Sequence, residues 1–368
     1  MLAQKIIISV TNDLSNEYRM HKTALWLISQ GYEVEMIGRK RKNSPLLPQL
    51  SYKTIRIRLP FEKGIGFYAT YNLTLFFLLL FKKYDILLSV DLDTLLANFL
   101  ASKIRNKRLI YDSHEYFTEL PELAHRPRVK KIWHKIEKWI FPKLNFVYTV
   151  SHSIAKEYQS QYKVKVSVVR NIPNRPQNNL LLPDYIPDLK KKYREKILLY
   201  QGAVNIGRGL EEIIEAMPDL NYQLLILGTG YHIPTLKKQV ELQELTHKVH
   251  FLGHIPVSDL PYYTQQAHIG LCLLNKNMGK NYQYALPNKL FEYMYADIPV
   301  LATGMPEIEN FMNMYHTGVT ILNNTIKDII QGLEKIEKNY AFYQSACTVA
   351  KNELTWENEI KKIHAFFQ

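Results

Sequence analysis

The sequence YALPNKLFEYMYADIPVLAT, from Tyr284 to Thr303, predicts a helix followed by a buried strand. Pro287 and Asn288 are typical of a helix start, because proline suits the first positions of a helix and an asparagine side chain can cap it. Apolar residues then recur three to four positions apart, and the apolar run from Ile298 to Ala302 is typical of a buried strand. The segment therefore predicts a helix–strand unit of an α/β domain.

Glu292 lies one turn inside the predicted helix, four residues after Asn288. The backbone N–H groups and the dipole at a helix N-terminus favour a diphosphate, and a carboxylate one turn further along can accept hydrogen bonds from ribose hydroxyls. This arrangement indicates a nucleotide-sugar site. The alternative is an ordinary helix cap followed by a solvent-exposed glutamate, and this segment alone does not distinguish the two.

A second segment, Leu198–Met217 (LLYQGAVNIGRGLEEIIEAM), predicts a strand, a glycine-bearing loop and a helix. Gly202, Gly207 and Gly209 allow a ligand to approach the backbone closely, and Arg208 can grip a phosphate with its fork of donors. A glycine-rich loop by itself is weak evidence for such a site.

Strands and helices alternate along much of the chain. Apolar strands are predicted at residues 223–230, 249–253 and 269–274, and in the N-terminal half at Ile6–Val10, where a polar loop and a helix from Tyr18 to Gln30 follow. The alternation predicts parallel sheets, which bind their ligands at the carboxyl ends of the strands.

The C-terminal half resembles glycosyltransferase family 4, the retaining transferases of GT-B architecture. In this half the resemblance is carried by residues 202–209, 227–230, 251–256, 287–294 (PNKLFEYM) and 299–308. In the N-terminal half it is carried by residues 10–39, 111–123, 151–158 and 168–174. The resemblance implies an α/β chain of two Rossmann-like domains, whose parallel sheets face each other across a cleft.

A chain of 368 residues is long enough for two domains, and 46% hydrophobic with 22% charged residues is typical of a globular protein. We expect an acceptor-binding domain at residues 1–167 and a nucleotide-sugar-binding domain at residues 168–368. Residues 168–194 contain four prolines and many polar residues, which indicates a connection. Residues 352–368 are predicted as a closing helix, and the resemblance implies that it packs back on the first domain.

The resemblance also implies roles for the residues that match the family motifs. We expect His114, Arg208 and Glu292 to be the catalytic residues, with His114 beside the donor sugar; a structural histidine is the alternative. The donor site is expected to include Gly202, Gly207, Gly209, Tyr284, Asn288, Lys289 and Leu290. Asn12, Asp13 and Arg19 follow the first strand and are predicted to contact the acceptor, the alternative being a purely structural loop.

The reaction that the resemblance implies is transfer of a sugar from a nucleotide-diphosphate donor with retention, by front-side attack that the leaving phosphate assists. Arg208, the loop N–H groups and the helix start would stabilise the leaving diphosphate, so neither a metal nor a cofactor is expected. The sequence Asp91-Leu92-Asp93 resembles the metal-binding pair of the GT-A fold, but here we interpret it as a loop at the end of a strand.

Two positions depart from the family pattern. Tyr284 stands where many members have a glutamate, and Ala203 stands where many have an arginine. Lys289, in the first turn of the helix, can replace the lost charge or can simply face the solvent. These departures leave open a catalytically silent GT-B scaffold subunit as an alternative function.

The formal net charge of +13 indicates an anionic partner. Within Arg126–Lys143, apolar residues and tryptophans keep helical spacing while lysines occupy the other faces, which favours contact with anionic lipid over simple packing into the domain. A family 4 acceptor is often lipid-linked, so we expect a role in cell-surface polysaccharide or glycolipid synthesis. Nucleic acid is the competing partner, but no DNA- or RNA-binding motif is present, so none is expected.

Cys272 and Cys347 are the only cysteines, which favours a reducing compartment without disulfides. The N-terminus lacks an apolar signal core. The apolar run Leu73–Phe81 is far shorter than the roughly 20 residues of a spanning helix, and we interpret it as a buried helix. We therefore expect a cytoplasmic protein, peripheral at the inner face of the membrane.

Overall fold

A computed structural model describes residues 3–124, 126–176 and 180–368 of the chain. Contacts between residues divide the chain into two compact units. The first contains the chain up to Asn171 together with Ile360–Gln368, and the second contains Ile172–Glu359. Each unit is built around a parallel sheet, as the alternation of strands and helices predicts.

The first unit has a seven-stranded parallel sheet in the order β3-β2-β1-β4-β5-β6-β7. Its strands are β1 (Lys5–Asp13), β2 (Glu33–Lys40), β3 (Lys53–Arg58), β4 (Ile86–Val90), β5 (Arg108–Ser113), β6 (Phe146–Thr149) and β7 (Ser167–Val168). Ile6, Ile7 and Ile8 are all fully buried, because helices cover both faces of a parallel sheet. The strand order reverses between β1 and β4, where ligands bind in sheets of this kind.

The helices of this unit include α1 (Tyr18–Ser29), α2 (Gly64–Phe81), α3 (Leu92–Arg105), α4 (Pro121–Ala124), α5 (Pro127–Ile140) and α6 (His152–Tyr162). The prediction that the first helix begins at Tyr18 is confirmed. Helix α2 packs against α3, and α3 packs against α5. These three helices therefore form one continuous layer.

The interpretation of the apolar run Leu73–Phe81 as a buried helix is wrong. It belongs to α2, whose buried residues Phe67, Tyr71, Leu75 and Leu79 lie four apart and pack against the sheet, while Leu73 and its neighbours on the other side are exposed. A helix on a sheet buries one face only, so an apolar sequence does not ensure burial all round. Among the described residues, α2 alone is long and apolar enough to span a membrane, judged by length and composition.

The second unit has a six-stranded parallel sheet in the order β10-β9-β8-β11-β12-β13. Its strands are β8 (Lys196–Gln201), β9 (Tyr222–Leu227), β10 (Val249–Gly253), β11 (Ile269–Cys272), β12 (Val300–Thr303) and β13 (Gly318–Ile321). Successive residues alternate between two cores: Leu198 and Tyr200 pack on one face of the sheet, and Ile197 and Leu199 on the other.

The remaining helices are α7 (Leu189–Lys192), α8 (Leu210–Ala216), α9 (Ile233–Leu242), α10 (Leu260–Thr264), α11 (Lys280–Gln283), α12 (Asn288–Tyr295), α13 (Pro306–Tyr315), α14 (Ile326–Lys338), α15 (Tyr340–Glu353), α16 (Trp356–Ile360) and α17 (His364–Phe367). The helix and strand predicted between Tyr284 and Thr303 are confirmed as α12 and β12. The prediction of one helix from residue 352 onward is wrong. Helix α15 ends at Glu353, and a new helix starts because Thr355 Oγ1 accepts a hydrogen bond from Asn358 N (3.3 Å).

Candidate functional site

The loop after β8 carries Arg208, the cation predicted at the diphosphate. Arg208 is half-buried, its guanidinium lies 4.9 Å from the centroid of the Tyr282 ring, and Nη2 donates a hydrogen bond to Tyr282 Oη (3.1 Å). Its buried Nε has no hydrogen-bond partner in the described part of the chain. A guanidinium that is held by one tyrosine and keeps an unused donor is suited to receive an anion.

The three glycines of this loop all have a positive φ, but they differ in what surrounds them. At Gly209, a Cβ would lie 2.1 Å from Leu273 O, so the packing of the loop itself requires glycine. At Gly202, the atom nearest to such a Cβ is Lys289 Nζ, at 3.5 Å. Gly202 is therefore exposed and faces Lys289 of α12, whereas Gly207 and Gly209 are buried in the loop.

Lys289 lies inside the second unit, only 8% exposed, so the alternative of a solvent-facing lysine is excluded. Its Nζ lies 3.8 Å from the centroid of the Tyr200 ring. Burial, with a smaller contribution from Arg208, lowers the pKa of Lys289 to about 8, while Cys272 and Glu292 oppose the change. The structure thus brings a second cation towards the loop in which Ala203 replaces the family arginine.

The start of α12 differs in detail from the prediction. Pro287, not Asn288, occupies the cap position, and it makes no side-chain cap hydrogen bond. Asn288 is the first helical residue and is exposed, so its predicted capping role is wrong. Leu290 is fully buried in the core, so its side chain has no access to a nucleotide-sugar donor. Its backbone N–H donates a hydrogen bond to Pro287 O (3.1 Å).

Glu292 lies half-buried beside the end of β8. Its Oε2 accepts a hydrogen bond from Gln201 Nε2 (2.5 Å), and Gln201 Oε1 in turn accepts one from Thr264 Oγ1 (2.9 Å). Burial raises the pKa of Glu292, while Gln201 and Lys289 oppose the rise. Within the described residues, the other oxygen, Oε1, accepts no hydrogen bond, which leaves it for a ligand hydroxyl.

Sequence reasoning missed the residues that hold this group in place. Gln201 orients Glu292, Tyr200 lies under Lys289, and Tyr282 holds Arg208. The position of Gln201, next to the first loop glycine at the carboxyl end of a predicted strand, was a usable signal. Tyr284 is half-buried just after α11, and its N–H donates to Lys280 O (2.9 Å).

In the first unit, His114 follows β5 and is paired with a buried carboxylate. His114 Nε2 lies 3.0 Å from Asp112 Oδ2, and Asp112 Oδ1 lies 3.4 Å from Arg19 Nη2. Burial lowers the pKa of His114, but Asp112 and Asp91 outweigh burial and raise it above the ordinary 6.5. Asp112 therefore favours the protonated form of His114 and fixes the orientation of its ring.

A second carboxylate, that of Asp91, lies beside this histidine. Asp91 begins α3 with a φ of 56°, and its Oδ1 accepts a hydrogen bond from His114 N (2.8 Å). Burial raises the pKa of Asp91 to about 6 and of Asp93 to about 8. Asp93 accepts a hydrogen bond from Thr11 Oγ1 (2.5 Å). Asp91 and Asp93, the pair that resembles a metal motif, thus have hydrogen-bond partners within the protein.

Two of the three predicted acceptor residues are held in ion pairs. Arg19 is 6% exposed and bound to Asp112, and Asp13 is buried with both carboxylate oxygens 2.9 Å from Arg56 Nη2. Asn12 and Asp13 lie at the end of β1 and not in the predicted loop, and the side chain of Asn12 is exposed. Asn12 therefore has exposed atoms that can contact an acceptor, whereas the side chains of Arg19 and Asp13 are already bound to Asp112 and Arg56.

A pocket of about 370 Å³ lies beside Asp13 in the first unit. Its lining also includes Ser15, Asn16, Arg41, Lys42, Asn43, Ser44, Pro45 and Glu62. This polar lining, with two cations, suits a hydroxylated or anionic molecule.

Two protein families match the chain. The family described as Glycosyltransferase Family 4 matches residues 17–174, and the family described as Glycosyl transferases group 1 matches residues 183–353. The two matches lie side by side and together take in most of the chain. No curated protein sequence matches it.

Solved structures of similar shape cover nearly the whole chain. A glycosyltransferase from Rickettsia africae ESF-5 is 15% identical, with a TM-score of 0.77, and the match covers 100% of this chain and 98% of that one. HepE from Anabaena, solved with UDP-glucose, is 13% identical over 99% of both chains (TM-score 0.70). WaaB, a lipopolysaccharide outer core galactosyltransferase, is 13% identical over 99% of this chain and 98% of its own (TM-score 0.68). These likenesses and the two parallel sheets confirm the predicted GT-B fold.

Proposed function

Because the chain belongs to glycosyltransferase family 4, we propose that it transfers a sugar from a nucleoside-diphosphate sugar to an acceptor hydroxyl with retention at the anomeric carbon. The observation that carries the proposal is the grouping of Arg208 and Glu292 near Lys289, whose Nζ lies beside Gly202 in the second unit. Two cations and a carboxylate at the carboxyl end of β8 match the charges of a nucleoside diphosphate and its ribose.

The two cations would stabilise the leaving diphosphate, on which negative charge grows as the glycosidic bond breaks. Arg208 offers the buried Nε that lacks a partner, and Lys289 offers an ammonium that the protein desolvates before any ligand arrives. Preorganised donors in a dry site act most strongly on such a charge. Since these side chains already supply positive charge, the proposed reaction uses neither a metal nor a cofactor.

Glu292 would hold the nucleotide through its ribose. Gln201 fixes one carboxylate oxygen, so Oε1 is presented in a single orientation for the ribose hydroxyls. The neighbour HepE, solved with UDP-glucose, supports a nucleotide-sugar donor. A screen of UDP-, GDP- and ADP-sugars identifies the base and the sugar of the donor.

His114 would lie beside the donor sugar, and Asp112 and Asp91 raise its pKa. An imidazolium can donate a hydrogen bond to a sugar hydroxyl, and Asp112 holds the ring for that purpose. Because no strong nucleophile is needed when the leaving phosphate assists attack on the same face, retention requires no further carboxylate at the anomeric carbon.

We further propose a lipid-linked acceptor and a role in cell-surface polysaccharide or glycolipid synthesis, at the cytoplasmic face of the membrane. The net charge of +13 supports contact with an anionic membrane. The likeness to WaaB, which acts on lipopolysaccharide outer core, supports an acceptor of the glycolipid class.

The experiment is a thermal unfolding screen with UDP-, GDP- and ADP-sugars, followed by an activity assay with lipid extract. A donor at 100 times its dissociation constant adds about 2.7 kcal/mol to the free energy of unfolding. The anomeric configuration of the product, read by NMR, tests retention. If no donor stabilises the protein and none releases a nucleoside diphosphate, the catalytically silent scaffold is the correct function.

A further inference from the structure

Helix α2 exposes an unbroken apolar stripe on the surface of the first unit. Every fourth residue from Ile65 to Phe81 faces away from the sheet: Ile65 (67% exposed), Ala69, Leu73 (59%), Phe77 (50%) and Phe81 (85%). No charged residue occurs between Gly64 and Phe81. Single exposed apolar residues are common, but a five-residue stripe along 18 residues of helix indicates a contact surface.

A band of lysines and aromatic rings lies in the same helical layer. Trp133 of α5 contacts Tyr68 of α2, with ring centroids 5.1 Å apart. Trp139 of α5 is half-exposed, and Lys143 Nζ lies 4.6 Å from its ring centroid. The remaining exposed cations in or next to the three helices of this layer are Lys63, Lys83, Lys103, Arg126, Arg128, Lys131, Lys135 and Lys138.

The charge of the band decides which partner suits the stripe. A second copy of the chain would bring its own lysines, and its net charge of +13, against those of the first. An anionic lipid surface instead offers hydrocarbon for the stripe and phosphates for the lysines, while a half-exposed tryptophan suits the boundary between them. The layer therefore matches a membrane better than it matches another copy of itself.

We propose that α2 lies in the plane of an anionic bilayer, with its stripe inserted among the acyl chains and the lysines of the layer on the headgroups. The helix does not cross the bilayer, because Phe67, Tyr71, Leu75 and Leu79 on its inner face belong to the core of the folded unit. This membrane contact rests on the membrane location proposed above but not on glycosyl transfer, since none of its residues belongs to the nucleotide site.

The test compares two triple variants for binding to vesicles of phosphatidylcholine with and without phosphatidylglycerol. The stripe variant carries Leu73→Ser, Phe77→Ser and Phe81→Ser. The control variant carries the same kind of change at exposed sites outside the layer: Leu25→Ser in α1 and Phe342→Ser and Val349→Ser in α15. All six residues are exposed, and circular dichroism checks that both variants fold.

We expect wild type and the control variant to co-sediment with the anionic vesicles, and the partition coefficient of the stripe variant to fall about 100-fold, as for the loss of three partly buried apolar side chains. A tryptophan introduced as Phe81→Trp should add fluorescence that brominated acyl chains quench. If the stripe variant binds the vesicles as well as wild type does, and salt abolishes the binding of both, then only the lysines contact the membrane. This result would overturn the proposed insertion of the stripe. Dimerisation of wild type without vesicle binding, lost in the stripe variant, would make a second copy the partner.

Discussion

Replacing Lys289 with methionine should make the free protein more stable and the nucleotide complex weaker. Lys289 is 8% exposed, and burial lowers its pKa from 10.5 to about 8. A shift of that size corresponds to about 3 kcal/mol of unfavourable free energy for keeping the ammonium charged in the folded state. The contact with the Tyr200 ring returns about 1 to 2 kcal/mol of this. Methionine has a similar length and no charge, so we expect a net gain of about 1 to 2 kcal/mol at pH 7.

The dependence on pH follows from the sign of the shift. Between about pH 8 and 10.5 the unfolded chain keeps the Lys289 proton while the folded chain loses it, so the destabilisation is present in full below about pH 8 and disappears as the pH rises to 10.5. The advantage of Lys289→Met over wild type should therefore shrink across this range. Chemical denaturation at several pH values measures it, with Lys335→Met on the exposed side of α14 as the matched control.

The same substitution should weaken nucleoside-diphosphate binding about 10- to 100-fold, because a charged donor to the diphosphate is lost. In wild type the affinity should fall as the pH rises through about 8, and in Lys289→Met this dependence should be absent. Calorimetry with the nucleoside diphosphate measures both effects. A variant that is less stable than wild type and binds the nucleotide equally well would show that Lys289 serves the fold, and would refute the reasoning.

Three further substitutions test the remaining parts of the site. Glu292→Ala should weaken nucleotide binding by roughly 1.5 to 3 kcal/mol in calorimetry, because the ribose hydroxyls lose their acceptor; an unchanged affinity would remove Glu292 from the site. Arg208→Ala should lower turnover roughly 100-fold or more, followed as release of the nucleoside diphosphate, since with alanine at position 203 only Lys289 and backbone N–H groups remain at the diphosphate; full activity would refute the placement of Arg208 there. Asp112→Asn should lower the pKa of His114 in an NMR titration, because Asp112 is the largest cause that raises it; an unchanged pKa would mean that another group sets the charge of His114.

Much of the nucleotide site could be predicted from local sequence. The helix start after Leu286, the carboxylate at Glu292 and the glycines around Arg208 follow from spacing along a few turns of chain, and α12, β12 and the loop lie where this spacing predicts. The position of the cap at Pro287 instead of Asn288 could not be predicted, because it depends on the backbone angles at Pro287 and not on residue type alone.

Two of the predicted acceptor residues have ion-pair partners far away in the sequence. Arg19 reaches Asp112 across 93 positions, and Asp13 reaches Arg56 across 43. A polar residue at the end of a strand can serve a ligand or a distant ion pair, and the sequence around it is the same in both cases. Arg19 lies in α1 and Asp112 in β5, while Asp13 ends β1 and Arg56 lies in β3, so only the tertiary arrangement of these elements brings the pairs together.

The sequence by itself determined the alternation of strands and helices, the two parallel sheets and the family, because these depend on periodicity and on motifs read over short distances. The tertiary structure decided that Lys289 is buried beside Gly202 and that α2 keeps an apolar face in the solvent. The physical reason is the same for both. A pattern shows which side chains prefer to leave water, but whether they do so depends on how much surface the rest of the fold brings against them.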